Sequence, residues 1–128
     1  MTLELADKHS IDNPTADDLR QHFQGLTRGI PFLILSRAAQ DYMQVAPRDG
    51  AFHIEYRQGK QRFFQKVVAD EALALLESFR HGDTDYQTDP AWRRLTVWND
   101  PYHPLLLWML VLIVLCSIVG LIIRFYSH

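Results

Sequence analysis

Apolar and polar residues alternate through four stretches near the middle of this chain. In AFHIEYRQ (51–58), Phe52, Ile54 and Tyr56 fall on one side and His53, Glu55 and Arg57 on the other. DYMQVAP (41–47) sets Met43 and Val45 against Tyr42 and Gln44. PFLILSRA (31–38) and QRFFQKVV (61–68) are apolar and rich in strand formers. A period of two is the mark of a half-buried strand. The breaks RAAQ, PRDG and QGK separate the runs, and the last two carry turn chemistry, with Gly50 and Gly59 placed for positive φ. Four strands joined this closely predict an antiparallel meander.

Helical spacing flanks the meander. Leu19, Phe23 and Leu26 recur at i, i+4 and i+7 in NPTADDLRQHFQGLTRG. Thr15 with Asp18 three residues on has the form of a capping box, and Asp17 and Asp18 suit the first turn. A second helix is expected over 70–81, capped by Asp70, with Leu73, Leu76 and Phe79 on its apolar side. Arg80 and His81 suit its last turn, and Gly82 is its stop. Residues 1–13 show no period and read as a flexible arm. DTDYQTDPAWRR reads as a polar loop, and RLTVW as one last strand ending at Trp98. The expected fold is α+β: an antiparallel meander of four to five strands over 14–98, with both helices on one sheet face.

From Leu105 to Ile123 no residue is charged, and no polar side of the kind a soluble helix shows recurs. About 19 residues, at about 1.5 Å rise each, cover a hydrocarbon core about 30 Å thick. Pro104 suits the first turn, Trp108, Phe125 and Tyr126 suit the two interfaces, and Arg124 can snorkel to headgroups. The run predicts a transmembrane helix over 105–123, after a linker over 99–104 and before a short tail over 124–128. The opening MTLELADKHS lacks the basic and apolar regions of a signal peptide. Arg93 and Arg94 on the domain side outnumber Arg124 beyond the run. The expectation is a single-pass, tail-anchored protein of an inner (cytoplasmic) membrane, its domain in the cytoplasm.

Net charge is −2, which argues against nucleic acid as a partner. The single cysteine, Cys116, lies in the apolar run, so no disulfide within the chain and no cysteine metal site is expected. Six histidines are present, none paired at metal-ligand spacing, and no phosphate-binding, nucleophile-elbow or zinc-protease motif occurs. Asp18 and His22 have the spacing of a helical ion pair. The expectation is a non-enzymatic protein without a cofactor. His53, Glu55 and Arg57 share a strand face, and Arg62 or Gln65 of the next strand would join them. This is either a solvated sheet surface or a partner-binding one. Phe63 and Phe64 are adjacent, so one of them points away from the core. Trp92 is either an interface anchor or a plug for the end of the sheet. The candidate partner-binding residues are His53, Glu55, Arg57, Arg62, Phe64 and Trp92. In the apolar run, Cys116 and Gly120 have small-xxx-small spacing, and with Ser117 they form a candidate packing surface for a homodimer or another membrane helix.

The order FHIEYRQGKQRFF, ADEALALLESFRHGD, WRRLTVW resembles the Imm1-like immunity proteins of bacterial polymorphic-toxin systems. The similarity lies in Glu55–Tyr56 at a strand end, the Gln58–Gly59 turn, the helix from Glu71 to Phe79, Gly82 and Trp98. It covers roughly residues 30–98, whereas the apolar run and the long 83–92 loop depart from that pattern. The resemblance implies a protein that binds and blocks a toxin by occlusion. The alternative is an accessory or scaffold subunit of a membrane complex, in which the apolar helix itself packs against partners.

Overall fold

The computed structural model describes residues 1–96 and 108–115. It divides into two units, Met1–Arg94 and Leu95–His128.

The first unit is built on one antiparallel sheet of seven strands: β1 (Thr2–Leu5), β2 (Ser10–Asp12), β3 (Leu33–Ala38), β4 (Asp41–Arg48), β5 (Ala51–Gln58), β6 (Gln61–Val67) and β7 (Arg93–Arg94). Their order across the sheet is β2-β1-β3-β4-β5-β6-β7. The four central strands follow the alternating stretches. The β4–β5 turn is Asp49-Gly50, both at positive φ (52° and 75°), as a two-residue hairpin of the primed type needs. Gly59, at φ 61°, opens the equally short β5–β6 turn.

The sheet has more strands than the expected four to five. Residues 1–13 are not a flexible arm, for they form β1 and β2, and β1 pairs with β3 from Thr2↔Ser36 to Leu5↔Leu33. Leu3 and Leu5 are buried, which fixes the strand to the core. At the other edge only Arg93 and Arg94 are strand, paired with Phe64 and Phe63. The expected end of that strand, at Trp98, lies outside the described residues.

Register sorts the side chains into rows. Leu3, Leu35, Met43, Tyr56 and Phe63 lie side by side across β1, β3, β4, β5 and β6. Leu5, Leu33, Val45, Ile54 and Gln65 make the next row. Most of these are fully buried, in one cluster with Leu19, Phe23 and Leu26 from one helical segment and Ala72, Leu76 and Phe79 from the other. Both helices therefore cover the same face of the sheet.

Helix α1 (Ala16–Gly25) begins with the expected capping box: the Thr15 side chain accepts from the Asp18 amide, and the Asp18 carboxylate accepts from the Thr15 amide. Helix α2 (Ala69–His81) starts earlier than expected. Its N-cap is Val68, which has no side-chain bond to give, and Asp70 instead lies in the first turn, where its charge still suits the dipole. Gly82 ends it at φ 88°, with Arg80 and His81 in the last turn as expected. Arg37 stacks its guanidinium 4.1 Å from the centre of the Phe79 ring and donates to the Phe79 carbonyl, tying the end of α2 to β3.

The stretch expected to be a polar loop contains a 3-10 turn, Asp85–Thr88, that delivers Tyr86 to the core. Tyr86 meets Tyr56 edge to face at 5.4 Å.

In the second unit, residues 108–115 are helical, and all eight are apolar and exposed, from 45% to 68%. Among the described residues no helix is long and apolar enough to cross a membrane. The rest of the expected 105–123 helix, the linker over 99–104, the tail over 124–128 and the packing residues Cys116, Ser117 and Gly120 lie outside the described residues.

Candidate protein-interaction face

Because both helices lie on one side, no described element of Met1–Arg94 covers the other face of the sheet. Its rows follow from the same register. Thr2, Ser36, Tyr42, Arg57 and Arg62 form one. Glu4, Ile34, Gln44, Glu55, Phe64 and Arg93 form the next, and Ala46, His53 and Lys66 a third.

Five of the six candidate binding residues converge here. Glu55 sits at the centre and is only 6% exposed, an unusual burial for a carboxylate on an uncovered face. Arg62 supports it from the neighbouring strand, donating through Nε to Glu55 Oε1 at 2.7 Å. Arg62 stands two positions before Phe64, the direct neighbour of Glu55, so the pair is a cross-strand diagonal. His53 stacks on Phe64, with ring centroids 5.4 Å apart and planes 22° from parallel. Of the two adjacent phenylalanines, Phe64 is the one on this face, and Phe63 stacks on Tyr56 on the other. Arg57 donates to the Gly59 carbonyl at 2.8 Å, folding back over its own hairpin.

Burial pushes the His53 pKa below the ordinary value of 6.5, Glu55 works against that, and Arg48 and Arg62 reinforce it. The imidazole is therefore neutral above that range, which suits ring stacking better than charge.

Trp92 is not part of this face. Its ring meets Tyr56 edge-on at 4.7 Å, on the helix-covered side, and its Nε1 donates to the Tyr86 carbonyl at 2.7 Å. It closes the end of the core. Gln65, weighed beside Arg62, is on the covered side as well, in the row of Ile54.

The sequence reading missed the other half of the face. Thr2, Glu4, Ile34, Ser36, Tyr42 and Gln44 line a shallow concavity of about 460 Å³ across β1, β3 and β4. The alternation in β4 already set Tyr42 and Gln44 apart from Met43 and Val45, but β1 had no visible period to place Thr2 and Glu4. Lys66 and Arg93 were also missed. Both are exposed, and their register sets them beside His53 and Phe64.

The face joins a stacked aromatic pair, an ion pair and the exposed cations Lys66 and Arg93 on one sheet. Among the described residues no cluster of three His, Cys, Asp or Glu has the geometry to hold a metal ion. Comparison of the chain with family models, with curated proteins and with solved structures found no match.

Proposed function

We propose that this chain is a non-enzymatic binding protein, whose α+β domain captures a protein partner on the uncovered sheet face while the apolar run 105–123 holds it at a membrane. The observation that carries the reading is the uncovered face itself. A sheet with helices on one side leaves a backbone-rigid surface on the other, and here that surface carries the stacked His53–Phe64 pair beside a buried carboxylate. Partly exposed aromatics on rigid strands are common anchors of protein interfaces. The eight apolar residues of 108–115, exposed on every side of their helix, support the membrane anchor, since lipid is the solvent in which that surface is stable.

The resemblance to immunity proteins gives the reading its specific form: the face occludes a toxin, and the anchor keeps the domain where the toxin arrives. The second reading, a subunit of a membrane complex, draws on the same exposed apolar helix as a packing surface.

Co-purification in mild detergent tests the proposal. The full chain is compared with a Gln44→Arg/Phe64→Asp variant, with folding checked by circular dichroism. Loss of the bound protein in the variant supports binding through the face. Retention there, with loss when Cys116, Ser117 and Gly120 are changed to leucine, would move the function to the helix.

A further inference from the structure

We infer that the β5–β7 end of the uncovered face recognises an acidic protein surface, an inference that rests on the binding-module reading above. The chain as a whole carries a net charge of −2, yet this end of one face gathers Arg57, Arg62, Lys66 and Arg93. Arg48 adds to them from the end of β4, near enough to bear on His53. Among the described residues, the carboxylate at this end of the rows, Glu55, is buried and engaged by Arg62, and Arg48 lies 3.9 Å from the carboxylate of its neighbour Asp49.

The placement of these cations is adverse for the domain alone. Arg57 and Arg62 stand directly opposite one another across β5 and β6, and like charges at that spacing disfavour strand pairing. Among the described residues Arg57 donates to a backbone carbonyl and forms no ion pair, and Lys66 and Arg93 are exposed. Carboxylates from a partner would resolve this crowding, and each would meet a charge-assisted hydrogen bond.

A bilayer of anionic lipid is the rival ligand, and the face does not suit it. A lipid plane asks for positive charge throughout. This face is bipolar, for its β1–β2 end carries Glu4 and Asp12. Between the two ends lies a concavity rather than a flat plane. A protein can match such a pattern, with carboxylates over β5–β7 and an apolar contact against the Phe64 and His53 rings.

Zero-length carbodiimide crosslinking of the full chain in its source membranes tests the inference. The expected product joins the Lys66 amine to an Asp or Glu of one partner protein, and it disappears in Lys66→Gln. Arg57→Glu with Arg93→Glu should lower retention of that partner at least about tenfold. Arg20→Glu with Arg28→Glu, exposed on the other side of the sheet, should leave it unchanged. A partner retained after reversal of Arg57 and Arg93 but lost in Phe64→Asp would overturn the acidic-partner inference and leave the binding face intact. A partner retained in both would overturn the face as well. A Lys66 amine that joins no partner carboxylate, or a reversal that abolishes binding to phosphatidylglycerol–phosphatidylcholine vesicles instead, also overturns it.

Discussion

Arg62 reaches across from β6 to place its guanidinium 2.7 Å from the carboxylate of Glu55 on β5. Among the described residues Glu55 is the only buried charged side chain. A buried carboxylate that loses its partner keeps its desolvation cost and forfeits the attraction. Because Arg62 is itself 39% exposed, water moderates the loss. Arg62→Ala should therefore destabilise the domain by about 2 kcal/mol. Arg62→Met with Glu55→Gln should cost less than Arg62→Ala alone. Urea titrations of the three proteins check this order.

Trp92 closes one end of the core against Tyr56 and Tyr86. Fully buried tryptophans cost about 3–5 kcal/mol when truncated, and Trp92 is only half-buried. Trp92→Ala should cost roughly 2–3 kcal/mol and lower the melting temperature, while Trp92→Phe should restore part of it. Since Trp92 lies off the binding face, partner retention measured below the new melting point should not change.

Stability should fall in mild acid through His53. Its folded pKa is below the unfolded value of 6.5, so between those two values the unfolded chain binds the extra proton. Stability is therefore full above about 6.5 and declines as pH drops through the lowered folded value. His53→Phe keeps an aromatic against Phe64 and should remove this component from a plot of unfolding midpoint against pH.

A second acid-sensitive component belongs to the α1 cap. Hydrogen bonds from the Thr15 backbone, then from its side chain, hold Asp18 below its ordinary 3.8. The cap's contribution is present above 3.8 and is lost as pH falls through the lower folded value. Thr15→Ala should cost about 1 kcal/mol at neutral pH, and Asp18→Asn should flatten the most acidic part of the stability curve.

The central strands and both helices were legible because their signals are local. Alternation placed Phe52, Ile54 and Tyr56 inward, and PRDG carried the Asp-Gly pair that its turn requires. The N-terminal strands were not legible, because β1 turns only Leu3 and Leu5 inward and β2 has three residues. Two apolar positions make no period, and it is pairing with β3, some thirty residues on, that recruits them. Tyr86 was hidden for a similar reason: it stands alone among polar neighbours, and only the 3-10 turn aims it inward. On the site, strand parity brought His53, Glu55 and Arg57 together. It could not show that Glu55 would be buried, because only the pairing with β6 brings Arg62 and Phe64 beside it. Trp92 had two readings until its contacts with Tyr56 and Tyr86 chose between them.

The measurement closest to the central claim is partner retention by the full chain after single changes to the uncovered face. Phe64→Asp removes the stacked ring and sets a charge beside Glu55. Arg28→Glu, on the helix-covered side, is the matched control. The account predicts that Phe64→Asp loses the partner by at least about tenfold, that Arg28→Glu keeps it, and that both proteins remain folded. A folded Phe64→Asp protein that retains its partner at the unaltered level would contradict the account.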